Sequence, residues 1–204
     1  VTDREIARKL QSRRPMLPTY WGDQPGTSGP VYVGAIICFL FILGLIIVPG
    51  RYKWWLLTAT VLGLMLSWGR NLMWFTDLFF YYFPAYNKFR AVSMMLVIVE
   101  FTMPLLGLLA LKRLLQAPED LKARQAYERP LLIAAGITGG LALLFALAGP
   151  VLFDFSSPGD ARYQQNAQLY DLILDFRTDM FRADAFRSFF FIAAAAALLF
   201  FYLR

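Results

Sequence analysis

AVSMMLVIVEFTMPLLGLLAL, Ala91 to Leu111, carries one charged side chain, Glu100, among residues that are otherwise apolar or small. At 1.5 Å per residue a helix of this length rises about 30 Å, which matches the hydrocarbon core of a bilayer. Its edges are abrupt. Lys88 and Arg90 stand before it and Lys112 and Arg113 after it, where long basic side chains reach lipid headgroups. A helix on the surface of a soluble protein keeps one polar face, and this segment has none. We read it as a transmembrane helix.

Working outward, residues 31–48, 54–68 and 131–153 meet or nearly meet the same length, and 188–203 is a shorter apolar run flanked by Arg187 and Arg204. The expected fold is all-α: a polytopic transmembrane bundle of about five spans over residues 31–204, with an external region at 1–30. The hydrophobic fraction of 58% and mean hydropathy of +0.51 agree with a membrane protein. The amino-terminal VTDREIARKLQSRRP is polar throughout and lacks the order of a signal peptide. It begins on Val1 rather than Met, so a processed or partial chain is expected.

The net charge of +6 comes largely from cations in loops beside apolar segments, which argues against nucleic acid as a partner. Cys38 is the single cysteine and there is no histidine, so no internal disulfide forms and the commonest zinc ligand is missing. No cofactor is identifiable, and no ligand spacing supports a divalent metal.

Short cytoplasmic loops are enriched in Lys and Arg. Arg51 and Lys53 in PGRYK, and the basic stretch after Leu111, therefore point to the cytoplasm. Alternation places residues 1–30, 69–90 and 154–187 outside. Arg4, Arg8, Lys9, Arg13 and Arg14 run against this bias, which weakens for long translocated regions. Residues 72–83 are too few and too aromatic for a span and are read as an interfacial helix ended by Pro84. Leu169, Leu172, Ile173, Phe176 and Met180 recur at helical spacing, with Asp171, Asp175 and Asp179 on another face. They predict an external amphipathic helix on the membrane surface or against other external loops.

Three groups of residues are candidates for chemistry. Trp21, Asp23 and Gln24 lie in a Gly- and Pro-rich loop read either as a solvated cap or as a rim loop that shapes a pocket. Arg70, Asn71, Asn87, Lys88 and Arg90 gather polar groups at the outer surface. The cations either snorkel to lipid phosphates or bind the phosphate of a lipid-linked substrate, with Arg as a planar fork and Lys as a point charge. Glu100, an intramembrane acid four residues before Pro104, is expected to face the bundle interior. It is protonated, paired with an Arg such as Arg70, or engaged directly in chemistry. Asp77, Asp154, Asp160 and Asp184 lack the spacing of a metal motif and are expected to be solvated or ion-paired. Glu100 alone, with no internal repeat, does not support a transporter.

The order PTYWGDQPGTSGPVYVGAI, LSWGRN, FPAYNKFRAVS, EFTMPLL, GITGGLALLFAL, FDFSSPGDA and RADAFRS resembles the carboxyl-terminal-side membrane region of the large bacterial YfhO-like proteins, over nearly the whole chain. The resemblance implies a multi-pass protein of the inner membrane and cell envelope, related to GT-C glycosyltransferases that take sugars from polyprenyl-phosphate donors at the outer face. It makes Lys88 and Arg90 look like donor-phosphate ligands and transfers no catalytic residue to Asp23 or Glu100. GT-C enzymes hold their catalytic acid in an early external loop that has no counterpart here, so the isolated chain is expected to be inactive. The catalytic residues are unknown. The expected partners are the lipid bilayer, a lipid-linked sugar donor and other membrane subunits. The alternative function is a non-catalytic integral membrane subunit whose external loops bind a partner protein or a lipid.

Overall fold

The computed structural model describes residues 19–22, 32–84, 92–116 and 124–204, and all its regular structure is helical. The α-helices are α1 (Ala35–Ile47), α2 (Tyr52–Ser67), α3 (Met73–Tyr82), α4 (Leu96–Leu115), α5 (Glu128–Leu152) and α6 (Ala167–Leu203). Short 3-10 turns occupy Gly69–Leu72, Val92–Met95 and Pro158–Arg162.

Among the described residues three stretches are long and apolar enough to cross a membrane: Ser93–Leu115, Glu128–Leu152 and Ala167–Leu203. Helices α1, with 13 residues, and α2, with 16, rise about 20 and 24 Å and are shorter than the roughly 30 Å core. The expected external helix and the expected last span at 188–203 are one continuous helix of 37 residues, α6. No Gly or Pro interrupts residues 167–203. The composition changes near Arg187 while the backbone pattern does not, so a polar-to-apolar boundary falls inside a single helix.

The chain divides into two compact units. The larger comprises Thr27–Leu143 and Phe186–Arg204, the smaller Val1–Gly26 and Leu144–Ala185. In the larger unit α4 packs against α1 and α2. Its core includes Phe39, Leu43, Leu106, Leu114, Leu131 and Leu203, all fully buried. Small residues permit the approach of α1 to α4: a Cβ on Gly44 would lie 2.8 Å from the Leu106 carbonyl oxygen. Between α2 and α4 the hydroxyls of Thr60 and Thr102 hydrogen-bond at 2.7 Å. One hydroxyl proton bridges the pair and the other goes to a carbonyl one turn back in its own helix, the Leu56 and Ile98 oxygens each lying 2.8 Å from their threonine, so both of these hydroxyls have an acceptor.

Helix α3 has no buried residue. Phe75 and Phe79 pack against a small cluster around Leu66 and Met95, while Trp74, Tyr81, Tyr82 and Phe83 are exposed. Its cap at Phe83 falls immediately before Pro84. The Thr76 hydroxyl donates to the Gly69 and Leu72 carbonyls at 3.0 and 3.2 Å, tying α3 to the preceding turn. In α4 the backbone continues through Pro104, which has no N–H to give to the Glu100 carbonyl one turn back.

Candidate functional site

The smaller unit is organised around Arg177. The positions Ile173 and Phe176 define the inner stripe of the first part of α6, and Arg177 follows Ile173 by four residues, so it shares that face. It is 2% exposed. Its guanidinium forms a two-pronged pair with Asp160, Nη1 to Oδ2 at 2.7 Å and Nη2 to Oδ1 at 2.9 Å. Nη1 also donates to the Phe155 carbonyl at 2.8 Å and Nη2 to the Tyr20 carbonyl at 3.1 Å. One planar fork therefore joins three chain segments, as its fixed donor geometry permits.

Asp160 is positioned by local chemistry. In SSPGD the Ser157 hydroxyl accepts from the Gly159 N–H at 3.3 Å, and the Asp160 carboxylate accepts from the Ser157 N–H at 2.8 Å. This is a capping box, with Pro158 at the first position of the turn. The hydrogen bond from Arg177 holds the Asp160 carboxyl below the usual carboxylate range. Burial opposes it, and the Ser157 N–H and the charges of Arg177 and Arg162 reinforce it. Asp160 is thus a permanent carboxylate near neutral pH with both oxygens engaged. It is a strut: of the two expected states, solvated or ion-paired, it takes the second.

Beside the ion pair lies an aromatic cluster. The Trp21 ring sits 5.0 Å from Phe155 and 6.3 Å from both Phe153 and Phe181, centroid to centroid. Phe145 joins Phe153 at 5.5 Å and Phe181 at 6.2 Å. Gly149 makes this possible, since a Cβ there would collide with the Phe181 ring. Arg182 adds a weaker tie to the Ala146 carbonyl at 3.4 Å. The amphipathic stripe behaves as its spacing predicts except at Met180, which is 40% exposed. Asp171, Asp175 and Asp179 are all exposed.

Among the predicted site residues, Trp21 is anchored in the smaller unit. Arg70 belongs to the larger unit, where it is exposed in the 3-10 turn beside Asn71. Glu100 is half-buried on α4. Arg70 and Glu100 form no ion pair, and among the described residues nothing donates to the Glu100 carboxylate. Of the states open to Glu100, pairing with Arg70 is not the one seen: Arg70 is exposed. Asp23, Gln24, Asn87, Lys88 and Arg90 lie outside the described residues. Among the described residues no cluster of acidic or thiol side chains converges to hold a metal.

Arg177 was the residue that sequence reasoning passed over. Its signal was present, a cation in register with Ile173 inside an apolar stripe, where only a paired charge is tolerated. No protein-family model, curated protein or solved structure matches the chain.

Proposed function

We propose that the chain is part of a GT-C-like membrane glycosyltransferase that uses a polyprenyl-phosphate-linked sugar at the outer face of the bacterial inner membrane. The supporting observation is the anchorage of the loop that begins at Tyr20. The Tyr20 carbonyl is held by Arg177 and the Trp21 ring by three phenylalanines. Tyr20 and Trp21 are thus fixed in the chain just before Asp23 and Gln24, the residues that this reading assigns to a substrate pocket. In this reading Arg70, Lys88 and Arg90 neutralise the carrier phosphate, Asn87 donates to it, and the basic ends of α2 and α4 face the cytoplasm.

The test is sugar transfer from a polyprenyl-phosphate donor in membranes carrying the native protein. Arg90→Ala is expected to abolish transfer with membrane insertion unchanged. Transfer at the wild-type rate in that variant overturns the assignment.

A second reading, a non-catalytic membrane subunit that docks a partner protein or lipid through its external loops, draws on α3. That helix displays Trp74, Tyr81 and Tyr82, 66%, 76% and 83% exposed, a composition suited to headgroup depth. It predicts co-purification of a partner through residues 69–90 and 154–187. A solitary, monodisperse protein counts against it.

A further inference from the structure

Five helix ends of the larger unit come together at one basic end. The Lys53 ammonium at the start of α2 donates to the Leu45 carbonyl of α1 at 3.0 Å. The Tyr202 hydroxyl of α6 donates to the Leu115 carbonyl of α4 at 3.2 Å. Arg204 meets Glu128, the first residue of α5, at 3.7 Å. Between these ends opens a cleft of about 390 Å³. Val48 and Leu109 form its apolar side, and Lys112, Arg113, Gln116 and Tyr127 its polar side.

The cations at this end differ in their partners. Lys53 is bound to a carbonyl and lies 5.5 Å from the Trp54 ring. Arg124 lies over Tyr202 at 5.3 Å, and Arg204 is shared between Glu128 and the Phe200 ring. Lys112 and Arg113, the two that line the cleft, have no acidic partner among the described residues. They also sit in the last turn of α4, whose carbonyl end repels an anion. A bare phosphate meets that repulsion with only two exposed cations to offset it. An amphiphile gains the same two cations and covers the apolar side as well.

We propose that this cleft binds the phosphodiester headgroup of an anionic phospholipid, with Lys112 and Arg113 on the phosphate and the Val48–Leu109 side against the glycerol and upper acyl carbons. Basic pockets between membrane helices take anionic lipids by this chemistry. The site is separate from the outer-face cations of the proposed sugar transfer and does not rest on that activity.

The experiment is native mass spectrometry of the full protein in neutral detergent, titrated with phosphatidylglycerol, phosphatidylcholine or inorganic phosphate. One phosphatidylglycerol per chain is expected to remain bound, and inorganic phosphate at equal concentration does not displace it. Each of Lys112→Gln and Arg113→Gln weakens binding about fivefold and the pair about thirty-fold, while Arg204→Gln has no effect. Both lining residues are exposed, so the substitutions leave the core intact. If the double variant gives no folded protein, Arg113→Gln and the headgroup comparison on the unaltered protein still decide. Equal retention of phosphatidylcholine, unchanged affinity in the Gln variants, or no lipid retained in detergent overturns the proposal. Displacement by inorganic phosphate also overturns it and identifies a free-anion site.

Discussion

In the larger unit the fully buried side chains include Phe39, Leu43, Leu106 and Leu114, whereas in the smaller unit they include Arg177 and Asp160 beside Ile173. The difference reflects what each unit has available. Apolar helices in lipid gain little from hydrophobic burial against one another, because lipid tails are as apolar as leucine. The larger unit relies on close packing at Gly44 and Gly107 and on a buried side-chain hydrogen bond between Thr60 and Thr102. The smaller unit gathers short segments with few buried apolar residues, and a guanidinium with several directional bonds fixes their arrangement. A buried ion pair is weak evidence of net stability, yet losing one partner is costly because it strands the other.

The contrast is broken most sharply at Arg177. Arg177→Ala leaves Asp160 buried without its partner and frees the Tyr20 and Phe155 carbonyls, an expected loss of about 3–5 kcal/mol in the smaller unit. Limited proteolysis in detergent should show cleavage around residues 154–166 with α4 still protected; unchanged resistance would mean that the pair is dispensable. Acid probes the same pair without mutation. The folded Asp160 carboxyl titrates below its unfolded value of about 3.9. Its contribution is therefore fully present above about pH 4 and is lost as pH falls through the lower, folded value. The larger unit, with its apolar core, should not share that loss.

A smaller effect is expected at the contact of α1 with α4. Gly44→Ala forces a methyl group against the Leu106 backbone, and overpacking of this kind costs about 1–3 kcal/mol. The midpoint of thermal unfolding in detergent measures it. A midpoint equal to that of the wild type would show that the helices separate freely at this point. The smallest effect belongs to Thr60→Val, about 0.6 kcal/mol, because Thr102 keeps its bond to the Ile98 carbonyl. A loss of several kcal/mol there would mean that the larger unit too depends on a polar hub.

Much of this was legible from spacing and composition. Residues 91–111 and 131–153 announced α4 and α5 within a few positions, and the aromatic run before Pro84 announced α3. SSPGD, with a Pro and a Gly among small polar residues, folds as a capped turn. The break expected before residue 188 was not there, since a change in polarity along α6 is not a helix terminator. Nor does Glu100 meet Arg70, because charge complementarity in a sequence carries no information about which side chains meet.

What residue order alone determined is local: helical character, apolar length against bilayer thickness, the caps, and the basic ends. These follow from interactions within a turn or two, or from the average polarity of a segment. Only the tertiary structure decided that Arg177 reaches Asp160 across 17 residues and the Tyr20 carbonyl across 157, and that Lys112 and Arg113 line a cleft with Val48. Such meetings depend on how separate helices pack, and packing selects among cations that look alike in the sequence.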